Sequence, residues 1–189
     1  MSGYRRLFIF IEGDDDERFF KEILYKQFKR KYDYVRPIKY AQRKKSDIEG
    51  ILNTILNSKN FNADYIFVAD LDNTPCITRR KEKLINFFDK KIQGNLIFIV
   101  VKEIEGWYLA GLDDKAIKKL GLKSAIKKLK SKKSNTELLT KEDFDSIIPE
   151  RYKGRIPFME DILNNFSINS AKLKNKSFEY FVDKLNLFP

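Results

Sequence analysis

Carboxylates are the residues of this sequence whose spacing best suits chemistry. Asp70 and Asp72 stand one residue apart in FVADLDNTP (67–75), Glu12 precedes Gly13 in FIFIEGDDDERFF (8–20), and Glu103 and Glu105 flank Ile104 in VVKEIEGWYLA (100–110). The chain of 189 residues has no histidine and a single cysteine, Cys76. That excludes Ser-His-Asp and Cys-His nucleophile systems, a histidine general base, and zinc sites built on histidine or paired thiolates. Catalysis, if present, falls to carboxylates, lysines, tyrosines or a bound hard cation, and carboxylate oxygens select Mg²⁺ or Mn²⁺. Clustered carboxylates repel one another unless a cation or a proton separates them.

The elements that position these acids alternate between two periods. Leu7–Glu12 is a short apolar run, as expected of a strand buried on both faces. Asp14–Lys31 reads as a helix, with Phe19, Phe20, Ile23, Leu24 and Phe28 at helical spacing and Asp14, Asp15 and Asp16 in its first turn, where acids suit the helix dipole. Val35–Tyr40 is a second strand despite Pro37, and Ser46 with Glu49 spells a capping box for a helix over Asp47–Ser58. Asp64–Ala69 is a third strand, Thr78–Ile92 a helix, and Asn95–Val101 a fourth strand. This alternation predicts an α/β fold of Rossmann-like type, with about four mainly parallel strands flanked by helices. Beyond Glu103 the pattern turns helical: Glu105–Leu112, Lys115–Leu120, Ser124–Lys130, then Pro157–Phe166 and Ser177–Leu185, with a polar and mobile stretch expected at Ser131–Asn135. Residues 1–112 thus form an α/β domain and 113–189 a helical extension packed on it, unless the whole is one domain.

In open parallel sheets, ligands bind beyond the carboxyl ends of the strands. Glu12, Asp70-x-Asp72 and Glu103-x-Glu105 all fall there, and Gly13 allows a sharp turn or a close backbone approach. Each cluster alone reads equally as helix capping. Three on one edge favour a metal site.

Lysine and arginine outnumber acids 38 to 27, a net charge of +11, which points to a polyanionic partner, DNA or RNA. Nine lysines and no acid lie between Lys115 and Lys133. Lys118, Lys119, Lys123, Lys127, Lys128 and Lys130 are the candidate phosphate contacts, with Ile117, Leu120, Leu122, Ile126 and Leu129 between them giving an amphipathic helix pair. A solvated lysine face over a core is the alternative. Trp107 and Tyr108 offer base stacking or, more simply, packing on the sheet. No apolar run is long enough to span a bilayer, so no membrane partner is expected, and the lone cysteine fits a reducing cytoplasm.

Two families share motifs with this chain. Asp70-Leu71-Asp72-Asn73-Thr74 is similar to the D-x-D-x-T signature of haloacid-dehalogenase-type phosphatases, which implies Asp70 as nucleophile. That signature normally closes the first strand, whereas here other elements precede it, and only Asp113-Asp114 offers the later acidic pair. The three clusters together resemble the TOPRIM domain, and more narrowly a group of small prokaryotic TOPRIM-like proteins related to the OLD and RloB-like families. The resemblance covers residues 7–112, with an echo in NKSFEYF near residues 175–181. It implies a TOPRIM fold and Mg²⁺- or Mn²⁺-dependent nuclease activity, with a role in defence or DNA repair. Glu12, Asp70 and Asp72 would be metal ligands, and Glu105 a further catalytic acid, binding a second metal or acting as base for water. Asp16 stands where the group often has Glu, and Gly111 where relatives tend to have an acid. A non-catalytic nucleic-acid- or partner-binding module and a phosphatase remain the alternatives, and association as a homodimer or with a partner protein stays open.

If the lysine segment tracks phosphates, replacing three of its contacting lysines by glutamine reduces the slope of log affinity against log salt on duplex DNA by about 2.7. A titration with unchanged slope would identify a solvated face.

Overall fold

A computed structural model describes residues 3–57, 62–132 and 135–188. The chain divides into two compact units, Met1–Ile99 with Leu187–Pro189, and Val100–Asn186. The α/β unit therefore ends before residue 112, because Glu105–Ala110 packs with the later helices.

Strands β1 (Arg6–Ile11), β2 (Tyr34–Lys39), β3 (Ala63–Asp70) and β4 (Ile97–Val100), all in the first unit up to Ile99, form a four-stranded parallel sheet in the order β2-β1-β3-β4. Strand β1 pairs in register with both β2 (Phe8 with Arg36) and β3 (Phe8 with Tyr65). After β1 the chain builds outward on one side, then returns to lay β3 on the other. The boundary between β1 and β3 is thus the topological switch point of the sheet.

Between the strands run α1 (Asp14–Phe19), a π-helical segment over Phe20–Leu24, α2 (Tyr25–Phe28), α3 (Lys45–Asn57) and α4 (Ile77–Phe87). The long helix predicted over Asp14–Lys31 is one continuous run interrupted by a wider turn, and Phe19, Phe20, Leu24 and Phe28 are buried as expected. Helix α3 begins at Lys45, so Ser46 lies inside the first turn and does not cap it. Ser58, the last residue of that expected helix, lies outside the described residues. Helix α4 stops at Phe88 because Asp89 and Lys90 adopt left-handed backbone, with φ of +50° and +62°.

One face of the sheet packs Phe8 and Phe10, Ile38, Tyr65 and Phe67, and Ile97 and Ile99 against Ile48, Leu52 and Ile55 of α3 and Leu84 and Phe88. The Phe10 and Phe67 rings stack at 4.4 Å and 6°. Intervening strand residues Leu7, Ile9, Ile11, Ile66 and Val68 are buried as well, which accounts for continuous apolar runs in place of alternation.

The second unit contains α5 (Glu105–Ala110), α6 (Asp114–Lys119), α7 (Lys123–Lys132), α8 (Lys141–Asp145), α9 (Arg155–Asn164), α10 (Ile168–Lys174) and α11 (Lys176–Lys184), with a 3₁₀ turn at Thr136–Leu138. The periodicity anticipates α5, α6, α7, α9 and α11 but not the short α8 and α10. In the polar stretch at 131–135, Ser131 continues α7, Asn135 caps the 3₁₀ turn, and Lys133 and Ser134 lie outside the described residues. No helix among the described residues is long and apolar enough to cross a membrane.

Trp107 is a packing residue. It is buried, lies 5.2 Å from the Phe178 ring and 5.3 Å from Phe181, and donates Nε1–H to Ser177 Oγ at 2.9 Å. Ser177 Oγ in turn donates to Asn175 Oδ1 at 2.8 Å, and that oxygen also accepts the Phe178 N–H. The two sequence segments around Trp107 and NKSFEYF are therefore halves of one buried hydrogen-bonded knot. Gly106 and Gly111 allow it to close: a Cβ would meet the Thr136 carbonyl oxygen at 2.6 Å at the first, and the Phe166 ring at 2.1 Å at the second. An acid at position 111 would have no room.

Ser177→Ala leaves the indole N–H buried without its acceptor, so unfolding free energy should fall by about 1–3 kcal/mol. Urea unfolding followed by far-ultraviolet circular dichroism reads this in every variant, including one without Trp107, the only tryptophan. The loss should shrink in a Trp107→Phe background, since that ring has no donor to strand.

Candidate carboxylate site at the ends of β1 and β3

Glu12 follows the last residue of β1, Asp70 closes β3, and Asp72 lies two residues on, so parallel pairing of the two strands brings all three to one edge. Glu12 Oε1 is the hub. It accepts the Asp70 backbone N–H at 3.2 Å, the Tyr40 hydroxyl at 2.8 Å and Arg80 Nη2–H at 2.8 Å. Arg80 Nη2 also pairs with Asp72 Oδ2 at 2.8 Å, while its Nε–H donates to the Asp70 carbonyl oxygen at 2.7 Å. One guanidinium thus ties the ends of both strands together. Asp72 reaches it from left-handed backbone at φ +51°, which aspartate tolerates better than most residues.

Tyr40 extends the site from the end of β2. Burial, reinforced by the neighbouring Glu12 carboxylate, pushes its phenol well above the usual tyrosine value. It therefore stays protonated and donates to Glu12. Asp16, one helical turn beyond Glu12, is buried and its carboxylate accepts the Gly13 N–H at 3.0 Å, fixing the turn from β1 into α1. Asp14 is held elsewhere, by Lys39 Nζ at 2.6 Å, and that contact keeps its carboxyl below the usual range.

Arg80 and Tyr40 were not among the expected site residues. The strand-end rule that selects Glu12 and Asp70 also selects Tyr40, had neutral residues been admitted. Arg80 carried no comparable signal, because the sequence does not distinguish it from Arg79, which lies exposed beside Glu82.

The remaining expected residues fall in the second unit. Glu105 is buried in α5 and ion-paired with Arg155, which also binds Asp145 and lies over the Phe144 ring at 4.8 Å. Glu103 accepts the Lys141 backbone N–H. Asp113 caps α6, its Oδ1 accepting the Ala116 N–H at 2.8 Å, which accounts for half of the Asp113-Asp114 pair. Lys118, Lys119, Lys123, Lys127 and Lys128 are exposed on α6 and α7, above buried Ala116, Leu120, Leu122 and Leu129. Lys119 bonds Asn165 Oδ1 at 2.7 Å, and the Lys130 side chain lies outside the described residues. Cys76 is exposed at the N-cap position of α4.

Among the described residues no three acids or cysteines close into a group able to hold a metal ion. The donor chemistry nonetheless suits a hard cation. Two carboxylates share a single arginine, which binds the third acid, Asp70, through its backbone carbonyl, and Glu12 Oε2 and Asp72 Oδ1 carry no hydrogen bond among the described residues. A divalent ion shared by Glu12 and Asp72 would require Arg80 to withdraw from at least one of them.

No family model matches the chain. The phosphate acetyltransferase of Buchnera aphidicola subsp. Acyrthosiphon pisum (strain APS) is 33% identical over 133 residues, which are 68% of this chain but 18% of that protein. The chain thus spans under a fifth of the relative it matches. Similar solved structures are C-terminal regions of OLD proteins. That from Xanthomonas campestris pv. campestris has a TM-score of 0.49 and 12% identity, covering 98% of this chain and 95% of its own. That from Burkholderia pseudomallei has a TM-score of 0.49 and 17% identity, covering 96% and 98%.

Because Arg80 and Glu12 are each mostly shielded from solvent, they should be energetically coupled. A double-mutant cycle of Arg80→Met and Glu12→Gln, measured by urea unfolding, should give a coupling of about 0.5–3 kcal/mol. Arg79→Met, one residue away, should lie within about 0.5 kcal/mol of wild type.

Proposed function

We propose that this chain is a TOPRIM-like hydrolase of nucleic-acid phosphodiester bonds that depends on Mg²⁺ or Mn²⁺. The observation supporting this reading is that Glu12 accepts the Asp70 backbone N–H and shares Arg80 with Asp72 at the switch point between β1 and β3, the place where open parallel sheets bind ligands. The excess of 38 basic over 27 acidic residues supplies attraction for the phosphate backbone. Glu12, Asp70 and Asp72 would hold the ion. When bound, such an ion polarises the phosphate and makes water acidic enough to serve as a nucleophile near neutral pH. Tyr40 orients Glu12 by its short hydrogen bond, and the Asp70 N–H fixes that same carboxylate against β3. Arg80 is free of duty to Asp72 once another cation serves it, and its fork then suits a phosphate oxygen. Glu105 has no part in this reading, since Arg155 already neutralises it. A role in defence or DNA repair is what the family resemblance adds.

Arg80 also favours a second reading. It neutralises two of the three acids without any metal, as a module that binds nucleic acid but does not cut it would need.

Cleavage of single- and double-stranded DNA and RNA with Mn²⁺, and the melting shift caused by Mn²⁺, separate these readings. Asp70→Asn and Glu12→Gln should each abolish both signals, and the double variant should be scarcely worse than either single one, because ligands of one ion act as a unit. A phosphatase with Asp70 as nucleophile predicts a trapped phospho-aspartyl intermediate and an active Glu12→Gln. Wild-type protein that binds nucleic acid, melts unchanged with Mn²⁺ and cuts nothing would establish the binding module.

A further inference from the structure

A second feature lies at the opposite, amino end of the same strands. Tyr4, Arg6 and Phe8 from β1 and its approach, and Tyr34 and Arg36 from β2, line an open groove of about 420 Å³. Parallel register sets Arg6 beside Tyr34 and Phe8 beside Arg36, so arginines and aromatic rings alternate in both directions across one sheet face. The Arg6 guanidinium lies over the Tyr4 ring at 4.7 Å, and the Phe8 and Tyr34 rings meet at 6.1 Å and 59°. Tyr4 and Tyr34 are 54% and 37% exposed although both are large and partly apolar. Arg36 is exposed on the edge strand and makes no ion pair or hydrogen bond among the described residues. Among the described residues no acid lines the groove.

Packing does not explain this arrangement. The core of that face begins at Phe8 and continues through Phe10 and Ile38, whereas Tyr4, Tyr34 and Arg36 stand outside it. An arginine with no acid to answer it, beside exposed flat rings, suits a ligand carrying both negative charge and planar faces. Successive nucleotides of a single strand present that combination, with phosphates for the guanidinium groups and unstacked bases for the rings. A duplex hides its base faces, and an acidic peptide offers charge without planes.

We infer that the Tyr4-Arg6-Phe8-Tyr34-Arg36 groove is a binding site for single-stranded nucleic acid, separate from the carboxylate site. Arg6 opens β1 and Glu12 follows its end, so roughly 20 Å of strand lies between the two at about 3.3 Å per residue. Phe10 and Ile38 fill the interval as core. The site shares with the hydrolase reading only the premise that the partner is a nucleic acid, and it needs no metal.

The test is fluorescence anisotropy of labelled oligo-dT and oligo-rU with the full chain in EDTA, over a range of salt concentrations. Melting curves of each variant would accompany it. Tyr34→Ala should weaken single-strand binding roughly tenfold, the loss expected of one stacked base. Arg36→Gln, at an exposed position, should reduce the salt slope by about 0.7, the share of one phosphate on a single strand. Both variants should bind a duplex as wild type does. Single-strand binding unchanged by both variants, or absent in wild type, would overturn the inference, as would equal competition by poly-glutamate. Failure of cleavage with Mn²⁺ while these EDTA results hold would remove the hydrolase and leave the groove.

Discussion

The site depends on one guanidinium lodged among carboxylates. Parallel pairing of β1 with β3 obliges Glu12, Asp70 and Asp72 to share an edge, and like charges so gathered need a cation. Arg80 supplies it with two hydrogen-bond geometries at once, to the Glu12 and Asp72 carboxylates and to the Asp70 carbonyl. A lysine in its place would offer a point charge without the fork that spans three acceptors. Arg80 sits in the first turn of α4, so the loop from Leu71 to Cys76 must return this helix to the strand ends. The left-handed Asp72 and the Thr74 N–H bond to the Leu71 carbonyl at 3.2 Å belong to that return.

The acids expected at a site meet an arginine in both units, Glu12 and Asp72 at Arg80 and Glu105 at Arg155, to different effect. Glu105 is buried and fixed to Arg155 inside the helical unit, so removing either partner would strand a charge away from water. The Arg80 pairs are looser at one end, because the Asp72 side chain is 52% exposed. Water can replace the arginine there at small cost, whereas nothing replaces it at Glu105. Under the proposed function, that asymmetry would let another cation take over from Arg80 at Asp72, while the Glu105 pair stays with Arg155.

The sheet was legible in the sequence because its signals are local and redundant. Four apolar runs separated by helical periods specify a parallel sheet, and the acids at the ends of the first and third runs fall where a switch point brings them together. The strand order itself was not legible, since nothing in any one run names its neighbours. Arg80 was missed for the same reason: its partner Glu12 lies 68 residues away, and no spacing rule reaches that far. Glu105 was read as a site acid because it follows a strand, but the arginine that engages it arrives fifty residues later. Trp107 was open between stacking and packing, and only Ser177 and Phe178, far along the chain, decide for packing.

The same limit governs the D-x-D-x-T segment. Its five residues are compatible with a covalent nucleophile or with a cation ligand, and both chemistries want an acid at the end of a buried strand. What distinguishes them is the neighbour. A nucleophilic Asp70 needs no glutamate beside it, yet here the Asp70 backbone N–H is given to Glu12, and the Asp70 carbonyl to the arginine that also holds Glu12. Glu12 is thereby built into the same hydrogen-bonded unit as the aspartates rather than standing near it. A substitution at Glu12 must disturb Asp70 through the backbone as well as through charge. That shared framework is what the proposed function rests on when it assigns the three acids a common role.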